Sequence, residues 1–125
     1  MNKLKYIGLL LLMICAVPAV NAQGTESNTA ITLERTACHG NCPVYSVTIL
    51  EDGTVMYAGT DFVSVTGEQT SELAPETVAA MVAAFAEAGY FEWDAAYETQ
   101  AVSDLATITT SVTREGVTHQ IVRYA

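Results

Sequence analysis

The stretch TACHGNCPVY, residues 36–45, sets Cys38 and Cys42 on either side of a His39-Gly40-Asn41 tripeptide. Three chemistries use such a pair: a structural disulfide, a thiol–disulfide exchange centre, or half of a metal site with His39 and His119 as further ligands. Gly40 and Asn41 tolerate left-handed backbone, so the chain can curl and bring the two sulfurs together. Pro43 then biases Cys42 toward extended backbone and launches a strand. Exchange catalysts place Cys-x-x-Cys at a helix start, where the dipole lowers one thiol pKa. Here three residues intervene and a strand pattern follows. Cys-His-x-x-Cys is not a common zinc spacing either. A disulfide is therefore the first reading, redox exchange through Cys38 and Cys42 its alternative, and a metal-binding module the third.

Elsewhere the residues offer no catalytic constellation. No phosphate-binding Gly-x-x-x-x-Gly-Lys, no Gly-x-Ser-x-Gly and no His-Glu-x-x-His occurs. Asp94, Glu98 and Asp104 form a loose acidic group without the spacing of a calcium loop, so solvated charge is the default. No cofactor is implied, and the reading favours a domain that is not an enzyme.

The disulfide argument depends on compartment, and the first residues address it. Lys3 and Lys5 give a basic start, Tyr6 to Val20 carry no charge, and Val20-Asn21-Ala22 offers small residues before a cut. That order reads as a secretory signal peptide over 1–22, too short and wrongly flanked for a spanning helix. Cys15 leaves with it, so the mature chain from Gln23 keeps two cysteines in an oxidising compartment, periplasmic or extracellular. Removal of the signal leaves Arg35, Arg114 and Arg123 against 14 acidic residues, a net charge of −11. Such a chain is repelled by nucleic acid and by anionic lipid. An unidentified protein or other envelope component is the expected partner, with no stable membrane insertion after cleavage.

The elements that must position the cysteine loop follow from periodicity. Residues 23–29 are polar and aperiodic, a disordered lead-in to one domain over 30–125. Ala30 to Arg35 alternates as a first strand. Val44 to Glu51 and Thr54 to Gly59 make a hairpin. A three-residue Glu51-Asp52-Gly53 loop, with Gly53 left-handed, collects Tyr45, Val47, Ile49, Val55 and Tyr57 on one face, which decides the register. Phe62 to Thr66 reads as a fourth strand that could run past Gly67. Pro75 to Ala88 is the one good helix, with Gly89 as its stop and Val78, Met81, Val82 and Phe85 as its apolar stripe. Tyr90, Phe91 and Trp93 read as core. After an acidic connection over 92–105, Thr107 to Thr113 and Val117 to Tyr124 form a second hairpin. Four strands, one helix and two strands predict an α+β domain, an antiparallel sheet of about six strands with the helix on one face. Val78, Val82 and Phe85 are expected against Tyr45, Val47, Ile49, Val55 and Tyr57.

Cys38, Gly40, Cys42, Pro43 and Tyr45, then Asp52-Gly53, then Val55 and Tyr57, spell Cys-x-Gly-x-Cys-Pro-x-Tyr followed by Asp-Gly and Val-x-Tyr. This pattern resembles a family of bacterial exported and lipoprotein domains known as a domain of unknown function. The phrase AGYF at 88–91 and the phrase SDLATITTSV at 103–112, which begins Ser103-Asp104, are similar to the family too, with Ala106 where a proline is often found. The resemblance implies a small secreted α+β domain and no particular activity.

Overall fold

The computed structural model describes residues 28–98 and 104–124. The expected signal peptide and lead-in up to residue 27 lie outside the described residues, as do 99–103 and Ala125. The fold is α+β: seven strands, β1 (Thr29–Arg35), β2 (Val44–Leu50), β3 (Thr54–Asp61), β4 (Gly67–Glu72), β5 (Ala96–Tyr97), β6 (Thr107–Arg114) and β7 (Val117–Tyr124), with one helix, α1 (Pro75–Glu87), between β4 and β5. The sheet order is β4-β3-β2-β1-β6-β7-β5. Every pairing is antiparallel except β5 with β7.

Both hairpins follow from their turn residues. In the first, Gly53 has φ 97°, the Thr54 N–H donates to Asp52 Oδ1 at 2.9 Å, and the Gly53 N–H donates to the Leu50 carbonyl at 3.0 Å. The resulting register sets Ile49 opposite Val55 and Val47 opposite Tyr57, as the three-residue loop requires. In the second, Arg114 pairs with Val117 across a two-residue Glu115-Gly116 loop, both residues at positive φ, the turn whose twist matches that of the strands. Pro75 opens α1, and Gly89 ends it at φ 81°. A 3-10 turn, Tyr90–Glu92, follows directly.

Cross-strand pairing sorts the side chains. Ile31 is paired with Ile49 on one side and with Val112 on the other, so the three share a face. They form one core cluster with Ala30, Val78, Tyr90 and Ile121, against which Val47, Val55, Met81, Val82, Phe85 and Phe91 pack. Tyr90, 3 % exposed, lies at its centre, with rings of Phe85 at 5.1 Å and of Phe91 and Trp93 at 5.8 Å. The opposite face carries hydroxyls: Thr32 and Ser111 share a hydrogen bond across the β1–β6 seam, and Thr113 and Thr118 share one at 2.8 Å.

Three expectations need correction. The fourth strand is not Phe62–Thr66, which forms a turn with Phe62 at φ 51°, but Gly67–Glu72. That strand is exposed at every position, so it shows no alternation to read, and its two glutamates keep the sheet edge from pairing further. A seventh strand, β5, comes from the acidic connection: two residues held parallel to β7, below the length at which periodicity exists. Finally, Tyr45 and Tyr57 stay outside the core cluster. A 13-residue helix is about 20 Å long, and its packing partners are β1, β6 and the turn that follows it, which leaves the two tyrosines beyond its reach.

Candidate functional site

The motif residues separate to opposite ends of the sheet. Asp52 and Gly53 build the first hairpin turn, and Val55 packs on the core beside it. Cys38, Gly40, Cys42, Pro43, Tyr45 and Tyr57 gather at the other end. Asp104 joins them through its backbone: the His39 N–H donates to the Asp104 carbonyl at 3.0 Å. Thr36 anchors the same loop twice, its N–H donating to the Thr107 carbonyl at 3.0 Å and its hydroxyl accepting from the Thr107 N–H at 2.9 Å.

Cys38 and Cys42 are joined as a disulfide, with Cα atoms 5.7 Å apart. The ring closes without the left-handed backbone expected at Gly40 and Asn41, neither of which has positive φ. His39 is exposed beside it. His119, the other candidate ligand, is used structurally: its ring lies edge-on to Tyr90 at 5.6 Å, and Nε2–H donates to the Trp93 carbonyl at 3.0 Å. Among the described residues no group of three or more His, Cys, Asp or Glu is placed to hold a metal ion. The short ring restricts the unfolded chain modestly. Cys38→Ser/Cys42→Ser is expected to unfold in urea with a loss of about 2 kcal/mol, and thiol labelling of the oxidised protein should find no free cysteine. Labelled thiols, or an unchanged midpoint, contradict a structural bridge.

Below the disulfide, Pro43, Tyr45, Tyr57, Phe62, Val63, Val65 and Gln69 line an open hollow. The Tyr45 and Tyr57 rings stack at 6.2 Å, and the Tyr57 hydroxyl donates to the Val65 carbonyl at 3.0 Å. Gly59 makes that bond possible, since a Cβ there would meet both the Tyr57 hydroxyl and the Val65 carbonyl. Phe62 projects from the rim at 59 % exposure and Val65 at 46 %. A bulky residue held at positive φ stores strain, a feature that clusters at binding sites.

A second hollow opens over β6 and β7, lined by Trp93, Tyr97, Glu98, Ile108, Thr110, Ile121 and Arg123. The Asp94 N–H donates to Tyr97 Oη at 3.0 Å and orients that ring. Of the nine large apolar side chains exposed among the described residues, Phe62, Val65, Trp93, Tyr97, Leu105 and Tyr124 lie at or beside this end of the sheet. Sequence reading assigned no site role to Phe62, Tyr97, Arg35 or Arg123, and it took Trp93 for core, whereas its ring packs on Tyr90 but stays 48 % exposed. Arg35 falls in phase with the core residue Ile31, on the same face of β1.

The arrangement offers aromatic and apolar surface in two open hollows at one end of the sheet. No curated protein and no solved structure matches the chain. The family described as a domain of unknown function, DUF6438, matches residues 29–125, and the chain belongs to it.

Proposed function

We propose that this is a non-catalytic binding domain of an exported protein, in which α1 roofs one end of a sheet face and the other end receives a protein partner of the cell envelope. The observation that carries the reading is an open hollow floored by the half-buried rings of Tyr45 and Tyr57 and rimmed by the exposed side chains of Phe62 and Val65, on a strongly acidic chain. Contiguous apolar surface rimmed by polar residues marks interaction sites, and aromatic residues supply most interface energy. The acidity favours a partner with a basic rim around its docking patch. The Cys38–Cys42 bridge fixes the loop that leads through Pro43 into this surface. A thiol-exchange role is less well supported, because the cysteines lead into a strand and no helix dipole is there to activate a thiolate.

Photo-cross-linking tests the reading in the native envelope. A photoreactive phenylalanine analogue at position 62 is expected to trap one discrete protein. The same analogue at position 70, on the hydroxyl-bearing face, is expected to trap none. The exported protein should begin at Gln23 by mass spectrometry. Equal cross-linking from both positions, or retention of residues 1–22, would sink it.

A further inference from the structure

We propose that the hollow between β6, β7 and the Trp93–Glu98 segment is a binding site for a small organic monocarboxylate with an apolar body, gripped by Arg35 and Arg123. This site is separate from the aromatic hollow assigned to a protein partner, and neither proposal depends on the other.

The strand register builds the grip. Tyr45 pairs with Arg35, Arg35 with Ile108, Ile108 with Arg123 and Arg123 with Tyr97, so these five residues form one row across the sheet on a common face. Neighbouring strands are about 4.8 Å apart, which places the two arginine Cα atoms about 10 Å from each other with Ile108 between them. Arg123 lines the hollow, whereas Arg35 stands just outside it on the other side of Ile108, close enough for its long side chain to reach across that residue. The row contains no carboxylate. Neither does the next, which reads Tyr57, Val47, Leu33, Thr110 and Ile121. Two of the three arginines of the expected mature chain thus share one row of a markedly acidic protein.

Arg35 is unusual in a second way. Its Nε is buried and has no hydrogen-bond partner among the described residues. A guanidinium donor removed from water and left unpaired is costly, and an incoming acceptor relieves that cost. Other polar atoms nearby are already engaged: the Thr110 hydroxyl bonds the Tyr90 hydroxyl at 2.8 Å, and the Tyr97 hydroxyl accepts from Asp94.

The remaining walls describe the rest of the ligand. Ile108 and Ile121 form an apolar floor, Trp93 and Tyr97 offer aromatic sides, and the volume, about 680 Å³, is that of a small-molecule site. Forked guanidinium donors match a carboxylate in geometry. Glu98 stands exposed at the rim. Arg123 and Glu98 are the charged residues of the lining, and Arg35 beside them leaves a single net positive charge, which favours a monoanion over a phosphate dianion.

Trp93 is the sole tryptophan and lines the hollow, so its fluorescence reports occupancy directly. Decanoate, added below the concentration at which it forms micelles, is expected to give a saturable change. Decanol should bind at least about tenfold more weakly, as should decanoate to Arg123→Gln and to Arg35→Gln, since each loses a charge-assisted hydrogen bond. Decyl phosphate should also bind less well. The urea midpoint of each variant separates lost binding from lost folding, and Arg123, exposed near the end of β7, carries the test if Arg35→Gln proves unstable. Absence of saturation, equal affinity for decanol, or undiminished binding by folded Arg123→Gln would overturn the proposal.

Discussion

Replacing Tyr90 by alanine is expected to cost about 4 kcal/mol of folding stability, a large share of the roughly 5–15 kcal/mol that holds a domain together. The size follows from the position of the ring. It is almost fully buried and contacts the rings of Phe85, Phe91, Trp93 and His119 at centroid distances of 5.1 to 5.8 Å. Truncation empties a space that helix, turn and strand all border, and those elements are too constrained to collapse into it. Tyr90→Phe keeps the ring and loses only the hydrogen bond to Thr110, so its expected cost is about 1 kcal/mol. Chemical denaturation of both variants checks the pair. A similar, small loss from each would mean that the ring is not the centre of the core.

Gly53→Ala is the second large effect. Gly53 is at φ 97°, where an L-residue is strained by about 1–3 kcal/mol. A Cβ there would also run into the backbone carbonyl of Leu73, whose own N–H donates to the Gly53 carbonyl at 2.9 Å. Backbone cannot swing aside as a side chain does, so the turn and the end of β4 must separate. Gly116→Ala is the natural control. Gly116 has a comparable φ of 78°, yet nothing lies within 4 Å of the site of its missing Cβ. The expected order of thermal midpoints is wild type, then Gly116→Ala, then Gly53→Ala with a loss of about 3 kcal/mol or more. Equal losses would show that conformation alone matters at position 53.

These two positions also show what the amino-acid order reveals and what it withholds. Asp52-Gly53 between alternating segments announces a hairpin, and choosing the cleaner segregation of Tyr45, Val47, Ile49, Val55 and Tyr57 gives the observed register, because a one-residue slip would exchange the faces. The same face count is silent about how far a helix extends over that face, so Tyr45 and Tyr57 read as core although they line an open hollow. Nothing local shows that Gly53 is pressed against Leu73, twenty residues away in sequence. The cysteine pair was legible from its spacing and its expected compartment. The carboxylate site was not, because its row joins residues 35, 108 and 123 through two strand pairings.

The place of β1 in the sheet governs how the domain must assemble. It pairs with β2 on one side and with β6 on the other, and roughly 70 residues separate its end from the start of β6. Synthesis from the N-terminus therefore completes β1 to β4, a meander of local contacts, long before the second hairpin exists. Until then β1 presents a bare row of amide and carbonyl groups and the apolar side chains of Ile31 and Leu33, a template for any extended chain nearby. Closing that seam is a high-contact-order event, which sets folding in the millisecond-to-second range rather than the microsecond range of helical bundles. Whatever protects β1 during that interval decides whether this chain reaches its native sheet or recruits a second copy into an intermolecular one.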